Sequence, residues 1–590
     1  MEFFLKEEMQ NNIITNYKFS FFFLNDLLKF LPKERKKNYY ILLVLFLISS
    51  LLEAINVSFI FPVVSIYEDY SNLDNYKFIK KIIYNFNIIE KNEILKILAF
   101  SFILLSIFCG IIKFLSYRLL FTFSSKVESD VREIVFSNNL YQSYQYHVNQ
   151  NSADVLTIIS QKTHFIFNML TAFLGVLSSF LLLLSILIAL MVLEPIITSI
   201  LFVFISLIFI IAYFVNKKKM SLFAKNISSK QYSITYIMQE AFGLITEILL
   251  YSLQNLFIDR FKNSSRVLAE SLAKTRIISE SPRIFLEYIL IISFVFILYL
   301  FTIYSNDQKI DIALLSLLGF AALKLLPLVG KIYNNYSTIK SLQNVFIDVI
   351  NILKKSALNL NKDKQNCKEI FYKNKIEFKN INFTYNNEFK RQKILNNFNY
   401  KINKNTFIGI KGSTGKGKST LVKILMCLIE PDQGHIEVDG VKLNSKNVES
   451  WQKKISILPQ KVFLNDTTIL GNIVLGENIE KINFERVQKS AKIAEIYDFI
   501  NSLPQKFYEK VGEAGSKLSG GQIKRIGLAR TLYRNSEVII LDEPTNELDE
   551  ETELKIIKSL KSLKEKKTII IISHNPEIIS LCDQIIDFDN

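Results

Sequence analysis

Six apolar segments, at about residues 39–67, 94–117, 165–192, 195–216, 283–304 and 309–332, fill nearly half of the first 332 residues of this 590-residue chain. Runs such as Phe180 to Leu193 and Ile284 to Tyr304 approach or reach the ~20 residues a helix needs to cross ~30 Å of hydrocarbon. With 49% hydrophobic residues overall, so many segments exclude a single water-soluble core and point to a polytopic helical membrane domain. After Ile332 the pattern turns polar. The Asn- and Lys-rich stretch from Asn359 to Asn374 reads as a linker. A soluble domain then opens near Lys375 with the alternating strand pattern Ile376 to Phe383. The partition is therefore 1–38, an N-terminal interfacial segment; 39–332, six spans; 333–374, helical extension and linker; and 375–590, the soluble domain.

The connections alternate in length. Glu68 to Glu93, the turn at Glu194-Pro195 and Ser305 to Gln308 are modest, whereas Arg118 to His164 and Asn216 to Pro282 are long and polar. Structureless loops beyond about 15 residues are uncommon, so these two are predicted to carry the helices several turns past the bilayer, about 24 residues giving ~36 Å. With the N-terminus inside, both lie in the cytoplasm, and their turns, Tyr141 to Ala153 and Tyr236 to Tyr251, are candidates to meet the soluble domain. The net charge of +16 comes from dispersed Lys and Arg, with clusters such as Lys33 to Lys37 and Lys217 to Lys219 beside the spans. That is the positive-inside pattern facing an anionic phospholipid bilayer, not a nucleic-acid surface. Tyr17 to Leu31 reads as an interfacial helix on the cytoplasmic leaflet. Four isolated cysteines, Cys109, Cys367, Cys427 and Cys582, offer neither a disulfide framework nor metal spacing.

The chemistry lies in the soluble domain. Gly412, Ser413, Thr414, Gly415, Lys416, Gly417, Lys418 and Ser419 spell G-x-x-x-x-G-K-S between the strand Phe407 to Ile410 and a helix beginning at Thr420. Such a loop wraps the phosphates of ATP with backbone N–H groups, Lys418 reaches the β and γ phosphates, and Ser419 ligates Mg²⁺. The strand Val538 to Leu541 ends in two acids: Asp542, a candidate for Mg²⁺, and Glu543, a candidate general base for the attacking water.

Leu518, Ser519, Gly520, Gly521 and Gln522 form the signature that separates ABC ATPases from other P-loop enzymes, and with it the domain resembles the ABC family. The resemblance implies that Ser519 and the backbone of Gly520 and Gly521 clamp the γ phosphate of ATP held by a second subunit. It also implies that His574 is the switch histidine at a strand end, that Gln460 is the loop glutamine sensing Mg²⁺, and that Tyr385 stacks on adenine. Gly512 to Gly515 resembles the X-loop of exporters, with Glu513 near a coupling turn. The segment after Glu543 reads Pro544-Thr-Asn-Glu-Leu-Asp549, where exporters commonly have Ser-Ala-Leu-Asp, so Asp549 is kept but its neighbours differ. The full fold class is thus six transmembrane helices with long cytoplasmic extensions fused to an α/β P-loop ABC ATPase domain. One ATPase domain per chain, with phosphate loop and signature both intact, implies a homodimer with two equivalent sites.

Charges inside the spans are functional candidates by default. Glu53, Lys113 and Lys324 qualify: Glu53 and Lys324 are expected to face a polar cavity, with interhelical pairing as the alternative, and Lys113 fits either reading, while Arg283 and Lys331 lie nearer span ends. Glu53 with Phe61-Pro62, an outer loop with room for a short helix over Asn75 to Phe86, Pro282-Arg283 with Glu287, and Lys324 with Pro327 resemble the bacterial flippases of lipid-linked oligosaccharides used in protein glycosylation. That resemblance implies a bacterial inner-membrane protein moving a polyprenyl-pyrophosphate-linked glycan outward, with Arg283, Lys324 and Lys331 attracting the pyrophosphate and Glu53 in the same wall. Export of a lipid A-type lipid, a peptide or a small amphiphile are the rival cargoes. A non-transporting ABC regulator is the rival class, and it should show a broken hydrolytic site.

Overall fold

The computed structural model describes residues 27–68, 73, 76, 91–193, 195–304, 312–360, 368–387, 390–546 and 548–589. The interfacial helix expected over Tyr17 to Leu31 and the outer helix over Asn75 to Phe86 lie almost wholly outside them. Two compact units emerge, Met1–Gln142 with Asn149–Asn361, and Ser143–Val148 with Lys362–Asn590.

The first unit is built from long helices: α1 (Lys33–Glu68), α2 (Lys91–Leu140), α3 (His164–Leu193), α4 (Pro195–Gly243), α5 (Gln254–Tyr304) and α6 (Ile312–Leu360). Each of the first five contains one of the apolar segments, and α6 holds the sixth from Ile312 onward. By length and hydropathy α1, α2 and α3 qualify as membrane spans. The 50 residues of α2 rise about 75 Å, more than twice the hydrocarbon thickness. Pro62, Pro282 and Pro327 sit inside α1, α5 and α6.

One apolar cluster joins α1, α2, α3 and α6 through Phe46, Phe123, Leu174 and Val349. A second joins α1, α3, α5 and α6 through Val57, Ile186, Leu286 and Ala321. Glycine lets α3 approach α6 closely: a Cβ on Gly175 would lie 2.5 Å from Asn335 Nδ2.

The second unit holds two sheets. Strands β1 (Lys375–Asn387), β2 (Lys390–Asn403), β4 (Gln433–Val438) and β5 (Val441–Lys442) form an antiparallel sheet in the order β2-β1-β4-β5. Strands β3 (Phe407–Lys411), β6 (Ile455–Leu458), β7 (Val538–Asp542), β8 (Thr568–Ile572) and β9 (Gln584–Asp587) form a parallel one in the order β6-β7-β8-β3-β9. Every residue of β8 is buried, as expected of a parallel strand covered on both faces. Its four consecutive isoleucines satisfy both faces at once. Around the sheet stand α7 (Lys418–Leu425), α8 (Gly520–Tyr533) and α9 (Glu550–Ser562). Ser143–Val148 belongs to this unit: the Tyr144 ring packs on the same core, with Lys423 Nζ 5.3 Å from its centroid.

Candidate active site

Parallel order brings β7, β8 and β3 side by side, so the residues leaving their carboxyl ends converge. A cavity of about 410 Å³ there is lined by Thr414, Gly415, Gly417, Lys418, Ser419 and Thr420 from the phosphate loop and α7. Asp542 and Glu543 enter from β7, His574 from β8, Gln460 from beyond β6 and Tyr385 from β1.

The loop turns tightly, with Gly412, Gly415 and Gly417 at φ of 145°, 85° and 110°. At Gly417 a side chain is excluded twice, by that angle and by Ile394 Cγ2, 2.6 Å from where a Cβ would stand. Lys418 is buried; its Nζ donates to the carbonyls of Gly412 and Ser413, the latter at 3.1 Å, and lies 3.4 Å from His574 Nε2. Ser413 donates through both its backbone N–H and its hydroxyl to Asp589, with the hydroxyl 2.7 Å from Oδ1. Those bonds hold the Asp589 carboxyl below its ordinary value. Lys416 is exposed and does not line the cavity.

Burial, and secondarily the Glu543 carboxylate, push Asp542 above the usual carboxylate range. A cation beside it would favour the ionised form. Glu543 has φ +48°, a conformation that non-glycine residues adopt at a cost of about 1–3 kcal/mol. Its N–H donates to the Ile572 carbonyl at 3.0 Å. The Gln460 and Asn546 amides each donate to Glu543 Oε2 at 2.8 Å, while Oε1 lies 3.6 Å from His574 Nε2. Gln460, expected to sense Mg²⁺, is therefore held by Glu543 in this conformation.

Beyond the phosphate loop, the signature turn and Asp549 also stand outside this cavity's lining. Ser519 starts α8 with a capping box: its Oγ accepts from Gln522 N–H at 3.3 Å, and Gln522 Oε1 accepts from Ser519 N–H at 2.9 Å. Leu518, Gly520 and Gly521 share that turn. Asp549 caps α9, accepting from Thr552 N–H at 2.9 Å, and that bond holds its carboxyl below the ordinary range. Tyr385, by contrast, sits in the cavity, edge-on to buried Phe383 with centroids 4.9 Å apart.

The family described as ABC transporter matches residues 395–546, and the family described as ABC transporter transmembrane region matches residues 39–324. A bacterial Atm1-family ABC exporter with ATP bound superposes with a TM-score of 0.74, covering 94% of this chain and 93% of its own, at 18% identity. The chain is an ABC half-transporter with the exporter fold. A probable ABC transporter ATP-binding/permease protein of Haemophilus influenzae is 37% identical over 229 residues, 39% of this chain and 40% of its own length. An ATP-dependent lipid A-core flippase of Saccharophagus degradans is 37% identical over 218 residues, 37% of this chain and 36% of its own. The half-transporter thus matches about two fifths of the length of these curated relatives. It is a membrane-spanning chain with a cytoplasmic ATPase domain.

In the membrane half of the transporter, Glu53 is buried and its Oε1 lies 2.7 Å from Lys324 Nζ and 3.6 Å from Lys113 Nζ. The polar cavity expected for Glu53 and Lys324 gives way to interhelical pairing, because the burial of Glu53 leaves the two lysines as its charge partners, and the contact joins α1, α2 and α6. The Arg283 stem packs on Gly330, where a Cβ would lie 2.6 Å from its Cδ. Lys331 instead lines a second cavity of about 430 Å³, with Arg276, Asn168, Thr275, Ser279 and Asn334 among its neighbours. Its ammonium donates to Tyr117 Oη and stands 4.1 Å from that ring's centroid. Arg276 was missed because, before any packing is known, it reads as one more cytoplasmic cation on a long polar helix.

Proposed function

We propose that two copies of this chain form an ATP-driven exporter that carries an anionic, hydroxyl-rich amphiphile outward across the bacterial inner membrane. The carrying observation is that Lys418, Asp542, Glu543 and His574 share one cavity while the signature residue Ser519 lies outside its lining. A second copy would supply Ser519 across the nucleotide. The hydrolytic set is complete, which argues against a non-transporting regulator.

Each residue has a task. The loop N–H groups and Lys418 bind the phosphates, Tyr385 packs on the base, and Glu543 takes the proton of the attacking water with His574 beside it. The Ser419 hydroxyl, the Asp542 carboxylate and the Gln460 amide oxygen are hard donors of the kind Mg²⁺ prefers. When bound, that ion neutralises phosphate charge.

For the cargo, the second cavity offers two cations among amide and hydroxyl groups, chemistry matched to phosphate and sugar. A polyprenyl-pyrophosphate-linked oligosaccharide fits it. A lipid A-type lipid is the second reading, favoured by the name of the Saccharophagus relative. The test is flipping of a fluorescent lipid-linked oligosaccharide in proteoliposomes by wild type, Glu543→Gln and Lys331→Ala. ATP-dependent flipping lost in both variants supports the glycolipid; vigorous ATP hydrolysis without flipping overturns it, and the same assay with labelled lipid A then decides the second reading.

A further inference from the structure

Asn546 lies in the segment after Glu543 that departs from the pattern common in exporters, and nothing in the roles above uses it. The residue is exposed to solvent, where an amide side chain has no need of a protein partner. Even so, its Nδ2 folds back to Glu543 Oε2 at 2.8 Å. Gln460 Nε2 donates to the same oxygen, also at 2.8 Å. A carboxylate oxygen accepts about two such bonds, so Oε2 is saturated and the carboxylate cannot rotate without breaking both. Oε1 is left as the oxygen on the side of His574 and Lys418. Proton abstraction needs that oxygen aimed within hydrogen-bond reach of the water.

We propose that Asn546 is a positioning residue for ATP hydrolysis, fixing the Glu543 carboxylate so that Oε1 is the proton acceptor. Gln460 arrives from another strand and is also a candidate for Mg²⁺, whereas Asn546 is three residues from Glu543 on the same turn. It therefore holds the base whether or not Gln460 is drawn away. The proposal rests on Glu543 being the base.

The experiment compares the full-length protein in lipid nanodiscs with Asn546→Ala, Asn546→Asp and Asn546→Gln, beside Glu543→Gln. Steady-state hydrolysis gives kcat and KM, and titration with a fluorescent trinitrophenyl ATP gives nucleotide affinity independently of turnover. We expect Asn546→Ala to lower kcat about tenfold, with KM and affinity within twofold of wild type, the signature of a group acting after binding. Asn546→Asp, equal in size but offering a repelling carboxylate in place of a donor, should lose more. Asn546→Gln, which restores a donor, should recover at least a third of the wild-type kcat. The proposal is overturned if the Ala and Asp variants both keep kcat within twofold, or if their loss appears in KM and affinity. Hydrolysis retained by Glu543→Gln would instead sink the assignment of the base, so the two failures are told apart.

Discussion

Glu53→Gln tests the ionic triad inside the bilayer. At an effective dielectric of about 20, the 2.7 Å contact with Lys324 is worth about 6 kcal/mol and the 3.6 Å contact with Lys113 about 5 before desolvation. Desolvation cancels much of this, and both lysine side chains are about a third open, 32% and 35%. Removing one member of a buried pair typically costs about 3–5 kcal/mol; discounting for the exposure of the lysines, we expect about 3 kcal/mol. Cys109 provides a local gauge, since it is buried on α2 with its Sγ donating to the Leu52 carbonyl at 3.4 Å, one residue from Glu53. In a protein whose other three cysteines are replaced by serine, labelling of Cys109 by a membrane-permeable maleimide reports opening of this helix contact. A loss of 3 kcal/mol should speed labelling about 100-fold, and adding Lys324→Met should return part of the protection, because the double change removes the nearer of the two orphaned lysine charges and leaves only Lys113. Labelling within threefold of wild type in Glu53→Gln would refute the pairing argument and return Glu53 to a solvated wall.

Three further outcomes follow from the ATPase domain. Gly417→Ala should weaken ATP binding at least tenfold by equilibrium titration, because both the φ of 110° and the contact with Ile394 oppose a side chain. Asp542→Asn should abolish hydrolysis yet raise the thermal midpoint of the nucleotide-free protein at pH 7. The folded pKa of Asp542 lies above its unfolded value, so its ionised form destabilises the fold, and the amide removes that penalty. At Asp439, burial works to raise the carboxyl, but N–H bonds from Lys373, Lys375 and Asn374 outweigh it and hold the group below its ordinary value. Its stabilisation is present above the unfolded pKa of about 3.9 and is lost as pH falls through the lower folded value. Urea unfolding should therefore show a weaker acid-side loss in Asp439→Asn than in wild type.

The six helices were legible because span length and hydropathy are local properties: each of α1 to α6 coincides with one apolar segment over its described residues. The phosphate loop and the acids of β7 were legible for a related reason, since short motifs fix their own backbone context. Pairings between distant residues were not. Glu53 and Lys324 are 271 positions apart, and only the rotation of α1 against α6 decides whether they meet each other or water. Nor could Ser413 be matched with Asp589, which depends on β9 joining the sheet beside β3. Gln460 was read for its motif, but its hydrogen bond to Glu543 depends on two strand ends lying side by side.

Neighbouring strands in any sheet are spaced about 4.8 Å apart. From β7 to β3, across β8, is two such steps, about 10 Å, comparable with the length of an extended triphosphate. The sheet is in effect a ruler whose graduations are strand ends, with the phosphate grip at one mark, His574 at the next and the hydrolytic acids at the third. Insertions anywhere between these strands lengthen the chain without moving the marks, whereas a one-residue slip of β8, all isoleucine beyond Thr568, would advance or withdraw His574 along the strand axis by more than 3 Å. The uniformity of that strand makes its ends, rather than its side chains, the place where register has to be held: Thr568 N–H to the Glu537 carbonyl at one end and Glu543 N–H to the Ile572 carbonyl at the other.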